Sequence, residues 1–136
     1  FLGRHKFFPF YSKEEKKKAA EEMERLDITE IKDRCYRELS GGQQQRVFLA
    51  RALCAATKMI FLDEPVTGLD PRVTTRMYEI ISEINKRDKI TVIMVSHDVR
   101  AAIRYSTHIL HIGHNGNFFG TTNEYIKSEI GQRFLL

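Results

Sequence analysis

Proline, glycine and cysteine are all scarce: the 136-residue chain holds three prolines, eight glycines and two cysteines. That composition excludes collagen-like and Pro/Gly-rich low-complexity chains and fits one globular domain with a real core. Cys35 and Cys54 form neither a metal-ligand spacing nor a disulfide framework, so a reducing, cytoplasmic setting is the simplest expectation. No apolar run approaches the roughly 20 residues a membrane helix needs; the longest, "MIFL" and "ITVIMV", have the length of buried strands. No secretory leader pattern is visible, and a start at Phe1 leads us to expect an upstream portion. Strong charge of one sign is lacking too. The formal net charge is +4, and much of the lysine lies in "SKEEKKKAAEEMERL", where glutamates alternate with it as in a solvated, ion-paired helix rather than a nucleic-acid face. There is no internal repeat.

What remains is an alternation of helical and strand patterns. The aromatic opening "FLGRHKFFPFYS" has no period and reads as a loop or a surface made to be covered. Ser12 and Glu15 fit a capping box, with Ala19, Met23 and Leu26 as the apolar stripe of the helix that follows. A short helix is expected over Ile28 to Tyr36. Ser40 is a good N-cap for a long helix to about Ala56, with Val47, Ala50, Leu53 and Cys54 on one side. "KMIFLDEP" is a strand with carboxylates at its C-terminal end. Asp70 and Pro71 open a helix to about Lys86 as N-cap and first residue. "KITVIMVSHD" is a second buried strand, Asp98 caps a helix through about Arg104, "THILHIG" is a third strand, "HNGN" a turn and "NFFG" a return strand. A last helix begins near Thr122. Strands alternating with helices imply a largely parallel sheet covered by helices, an α/β class.

Three places suggest chemistry. Ser40, Gly41, Gly42 and Gln43 start a helix, where unpaired N–H groups and a partial positive charge attract anions. Glycine there lets a phosphate approach the backbone, although "SGG" alone also describes an ordinary helix cap. Asp63 and Glu64 follow an apolar strand, the end at which open parallel sheets bind ligands. One carboxylate suits magnesium held through water, the other a proton from an attacking water. His97 ends the next apolar strand, where it can bond a phosphoryl oxygen or simply be satisfied in a loop.

Order and spacing decide between these readings. "LSGGQQQR", "MIFLDEP", "TGLD" and "VSHD" in succession resemble an ATP-binding cassette, the nucleotide-binding subunit of an ABC transporter, over nearly the whole chain. The resemblance implies a P-loop NTPase-type fold. Residues 1–45 would be part of the helical signature subdomain, and residues 46–136 the C-terminal part of the ATPase core. It implies ATP and Mg2+ as cofactors and phosphoryl transfer by positioning and electrostatics. In that scheme Ser40, Gly41, Gly42 and Gln43 contact the γ-phosphate of ATP held by a second ATPase subunit. Asp63 orients magnesium, and Glu64 is the general base. Pro65 to Asp70 form the D-loop, with Gly68, Leu69 and Asp70 facing the dimer partner, and His97 bonds the γ-phosphate and positions Glu64. Implied partners are a second ATPase subunit in a homodimer or heterodimer, transmembrane permease subunits and, indirectly, an extracytoplasmic substrate-binding protein. No nucleic acid is expected. The place would be the cytoplasmic face of the membrane, peripherally.

One part of that scheme is missing from the sequence. No G-x-x-x-x-G-K-[ST] occurs, and "GRHK" at Gly3 to Lys6 lacks the second glycine and the hydroxyl after lysine. The chain resembles the C-terminal part of a subunit, so it is expected not to hydrolyse ATP alone. Its strands are expected to leave an apolar face exposed or covered by a partner. "GRHKFFPFYSKEEKKKAAEEMERLDI" is similar to the corresponding region of importer ATPases for zinc and manganese, then iron–siderophores. His108, His111 and His114 suggest a metal, but a strand spacing of three turns His108 and His111 to opposite faces. Two alternatives stand: a non-catalytic dimerisation module that donates its signature, and the cassette head of a DNA-repair or chromosome-maintenance ATPase.

Overall fold

The computed structural model describes residues 11–114 and 116–135. The aromatic opening lies mostly outside them, as does Asn115 of the expected "HNGN" turn. The described chain divides into two compact units meeting between Met94 and Val95. The boundary at 45/46 suggested by the motifs falls inside a continuous helix.

The first unit begins with α1, Lys13–Arg25, opened by the expected capping box: Ser12 and Glu15 each bond the other's backbone N–H. Its end is pinned by Leu26, which is fully buried. Instead of a helix over Ile28 to Tyr36, two single turns of 3-10 helix follow, Thr29–Ile31 and Tyr36–Glu38. Ile28, Ile31 and Leu39 all reach the core from this irregular segment. Helix α2, Gly41–Ala55, buries Leu49, Ala50, Leu53 and Cys54. Strand β1 is Met59–Asp63. Helix α3, Pro71–Asp88, buries Met77, Ile80, Ile81 and Ile84 at helical spacing, and it ends at Lys89 in the left-handed region with φ +57°. Strand β2, Thr91–Val95, pairs with β1 in a two-stranded sheet. The two run parallel, joined by α3 as the crossover.

One face of this pair packs on the core through Ile60, Leu62, Val92 and Met94. The other is open: Met59, Phe61 and Ile93 are exposed, Phe61 at 70%. Both apolar runs were expected to be buried strands. They are strands, but half of each is bare, which is the exposed apolar face that the motif reading anticipated.

Helix α1 is fastened to α3 by charge. Arg25 bonds Asp88, at the end of α3, and lies 4.0 Å from Glu22. Glu22 sits in a partly buried position, and burial pushes its carboxyl up from the ordinary value, against the pull of Arg25.

The second unit holds α4, Val99–Tyr105, capped by Asp98 as expected, then β3, His108–Gly113, and β4, Gly116–Thr121. These two strands form an antiparallel hairpin in register from His108 opposite Thr121 to Gly113 opposite Gly116. The last helix is broken into α5, Thr122–Lys127, and α6, Glu129–Leu135. Ser128 makes the break: its hydroxyl donates to the carbonyl of Tyr125 at 2.7 Å and accepts from the N–H of Gly131 at 3.0 Å. His111 faces inward, its Nδ1 2.9 Å from the hydroxyl of the buried Tyr125. His108, on the opposite face, stacks on Phe119.

Candidate functional site

Ser40 turns the chain into α2 with extended φ −62° and ψ 158°. Its hydroxyl accepts from the N–H of Gln43 at 3.3 Å, while the Gln43 side-chain oxygen accepts from the N–H of Ser40 at 3.0 Å. Two of the four residues expected to meet a phosphate thus close a capping box between themselves. The glycines between them differ. A Cβ on Gly41 would stand 4.0 Å from Leu69, an ordinary contact, whereas one on Gly42 would stand only 3.1 Å from Val73 Cγ1. Gly42 thus lies where α2 approaches the first turn of α3 closely enough that a side chain would crowd Val73, a tightness the sequence did not disclose. The same proximity brings Leu69 beside the signature glycines.

The rest of "QQQR" anchors the helix. Gln44 donates its side-chain N–H groups to the carbonyls of Tyr36 and Leu39 at 3.2 and 3.1 Å. Arg46 donates to the carbonyls of Gly42, Leu26 and Asp27 at 3.3 to 3.4 Å. Neither residue was singled out from sequence. Their signal, a polar side chain spaced to reach back over the preceding turn, became specific only when the loop before α2 was placed.

Asp63 is the exposed last residue of β1. At Glu64 the chain leaves the strand with φ +43°, left-handed for a residue with a side chain. The turn is closed by Thr67 N–H donating to the Glu64 carbonyl at 3.2 Å and Leu69 N–H to the Val66 carbonyl at 3.2 Å. The Thr67 hydroxyl also donates to Glu64 Oε2 at 2.8 Å. Thr67 lay within the expected D-loop without being singled out. Pro65 is buried. Gly68 takes φ +77° with nothing within 4 Å of where a Cβ would be, which an L side chain tolerates poorly. Asp70 caps α3, its Oδ1 accepting from the N–H groups of Arg72 and Val73 at 2.9 and 3.1 Å.

An open cleft of about 280 Å3 lies between α2 and β1, and its lining includes Phe48, Phe61, Gln45 and Asp63. Being mostly apolar, it is no phosphate cradle. Among the described residues no three His, Cys, Asp or Glu side chains are gathered to hold a metal ion. Asp63, an exposed carboxylate at the end of β1, would offer a magnesium ion a single protein ligand. His97 is exposed in the second unit, between β2 and α4. The adjoining Ser96 hydroxyl accepts from the N–H of Asp98 at 3.1 Å, shaping that loop.

Known proteins resemble this chain in sequence and in fold. The sequence pattern of the ABC transporter family matches residues 3–67. A zinc uptake system ATP-binding protein, ZurA of Listeria monocytogenes, is 39% identical over 103 residues, covering 76% of this chain and 40% of that protein. A phosphonates import ATP-binding protein, PhnC 2 of Pseudomonas syringae, is 42% identical over 95 residues, covering 70% of this chain and 34% of that protein. The ATP-binding cassette MJ1267 of an ABC transporter, solved in its ADP conformation, superposes with a TM-score of 0.76 at 30% identity, covering 95% of this chain and 50% of that one. The chain thus spans well under half the length of these curated relatives. Among the described residues no helix is long and apolar enough to cross a membrane. The signature helix, the strand ending in two carboxylates and these likenesses lead to one conclusion: the chain belongs to the ATP-binding family of ABC transporters.

Proposed function

We propose that this chain supplies the signature and the catalytic carboxylates of an ATPase subunit that powers import of a metal ion or metal chelate. The observation that carries the reading is the juxtaposition within one unit of the α2 N-terminus and the turn that follows β1, through Leu69 and Val73 against Gly41 and Gly42. In this reading residues 1–45 belong to the helical subdomain and 46–136 to the ATPase core. Ser40, Gly41, Gly42 and Gln43 bind the γ-phosphate of ATP held by a second ATPase subunit, at a helix N-terminus whose first N–H groups lack intrahelical partners. Asp63 holds magnesium, which when bound neutralises charge on the phosphates. Glu64 takes the proton of the attacking water. Gly68, Leu69 and Asp70 face the dimer partner, and His97 bonds the γ-phosphate. The subunit works against transmembrane permease subunits at the cytoplasmic face of the membrane, fed by an extracytoplasmic binding protein.

The test measures Mg–ATP binding and phosphate release by this chain and by the full-length product of its gene. Only the full-length product is expected to turn over. Glu64→Gln there should lower kcat by about 100-fold or more while ATP still binds, the scale of losing a general base. Hydrolysis by the chain alone would overturn the account of its missing phosphate cradle. For the cargo, the likeness to ZurA and the segment from Gly3 to Ile28 support metal. Cells carrying Glu64→Gln should lose zinc or manganese uptake and keep phosphonate uptake; the reverse result would move the assignment to the phosphonate branch.

A further inference from the structure

Thr67 holds Glu64 at both ends. Its N–H donates to the Glu64 carbonyl at 3.2 Å, and its hydroxyl donates to Glu64 Oε2 at 2.8 Å. Between them Glu64 carries a left-handed φ of +43°, a conformation that persists only where surrounding bonds over-determine it. A glutamate has three side-chain torsions, and a base left to sample them spends little time aimed at one water. A hydroxyl bound to one carboxylate oxygen fixes the plane of the group and thus the direction of the other. Threonine suits this better than a longer donor, because its branched Cβ restricts χ1 and keeps the hydroxyl where the turn puts it.

We propose that Thr67 is the positioning residue for Glu64: it aims the carboxylate at the attacking water without touching nucleotide itself. The inference rests on the reading of Glu64 as the general base. Thr67→Val keeps the shape and removes the donor; Thr67→Ser keeps the donor and removes the methyl.

The test uses the full-length product and measures kcat, KM for ATP, thermal midpoint and the NMR order parameters of the Glu64 side chain. The expected result for Thr67→Val is a fall in kcat of about tenfold, the scale of one lost orienting bond. KM and thermal midpoint should not change, and Glu64 side-chain mobility should rise. Thr67→Ser should stay within about twofold of wild type in kcat. Wild-type kcat in the valine variant overturns the inference. So does an equal fall in both variants, which would make Thr67 a purely structural turn residue. Glu64→Gln is run alongside: if it retains turnover, the base assignment itself fails, and this inference with it. If it abolishes turnover while Thr67→Val does not slow it, only the positioning role is lost.

Discussion

The two glycines of the signature offer a test in which neighbouring, chemically identical substitutions should part ways. In Gly41→Ala the new Cβ stands 4.0 Å from Leu69 Cδ2; in Gly42→Ala it stands 3.1 Å from Val73 Cγ1. Carbon atoms attract best at about 3.5 to 4.0 Å, so the first contact is comfortable and the second is short by about 0.5 Å. Val73 lies in the first turn of α3 and is β-branched, so its χ1 has little freedom to relieve the overlap. Overpacking of this kind costs about 1 to 3 kcal/mol. Replacing glycine by alanine in a helix returns at most about 1 kcal/mol. Gly41→Ala should thus be neutral or slightly stabilising, and Gly42→Ala should be less stable than Gly41→Ala by about 1 to 3 kcal/mol. Urea unfolding of the chain read by circular dichroism decides this, and Gly42→Ala/Val73→Ala should recover most of the loss. Equal stabilities for the two single variants would refute the packing argument. In the full-length product, Gly41→Ala should nonetheless slow turnover, because a methyl group there stands where a phosphate must approach the backbone.

Two further outcomes follow from the first unit. Burial raises the Glu22 carboxyl above its ordinary value of 4.5, so folding retains a proton there that the unfolded chain has released. Its contribution is full below pH 4.5 and is lost as pH rises through the folded value. Glu22→Gln should remove that decline, leaving a chain as stable as wild type near pH 4 and more stable at pH 7 in denaturant titrations. A less stable variant at pH 7 would mean that attraction to Arg25 outweighs desolvation. The bare face of β1 and β2 should make the chain associate in gel filtration and bind hydrophobic dyes, and Phe61→Ser should weaken both; a compact monodisperse monomer that ignores the dye would contradict this.

The elements that could be read from sequence are those fixed by bonds between near neighbours. Ser12 with Glu15, Ser40 with Gln43, and Asp70 before Pro71 close their caps within three residues, so the letters alone place α1, α2 and α3. The hairpin of β3 and β4 was equally accessible through its turn residues and alternation. The segment over Ile28 to Tyr36 was not. Its apolar residues suggested a helix, but the chain there makes two separate 3-10 turns whose Ile28 and Ile31 join the core, and packing overrides local preference. The bare face of "MIFL" and "ITVIMV" came from the motif order and not from the runs themselves: an apolar run says that a strand can be covered on both faces, not what lies within reach to cover it.

The site divides along the same line. Ser40, Gly41, Gly42, Gln43, Asp63, Glu64, Asp70 and His97 stand out because order and spacing along the chain carry the resemblance. Their supports do not stand out. Gln44 and Arg46 reach carbonyls in a loop whose path no local rule sets, Gly42 is crowded by Val73 from another helix, and Thr67 matters only once Glu64 has turned left-handed. Phosphate and proton chemistry selects residue types that a motif records. Holding those residues within a few tenths of an ångström falls to side chains whose partners are chosen by the fold. A substitution at Thr67 or Arg46 would look neutral beside the motif letters, yet by this geometry it should disturb the same reaction.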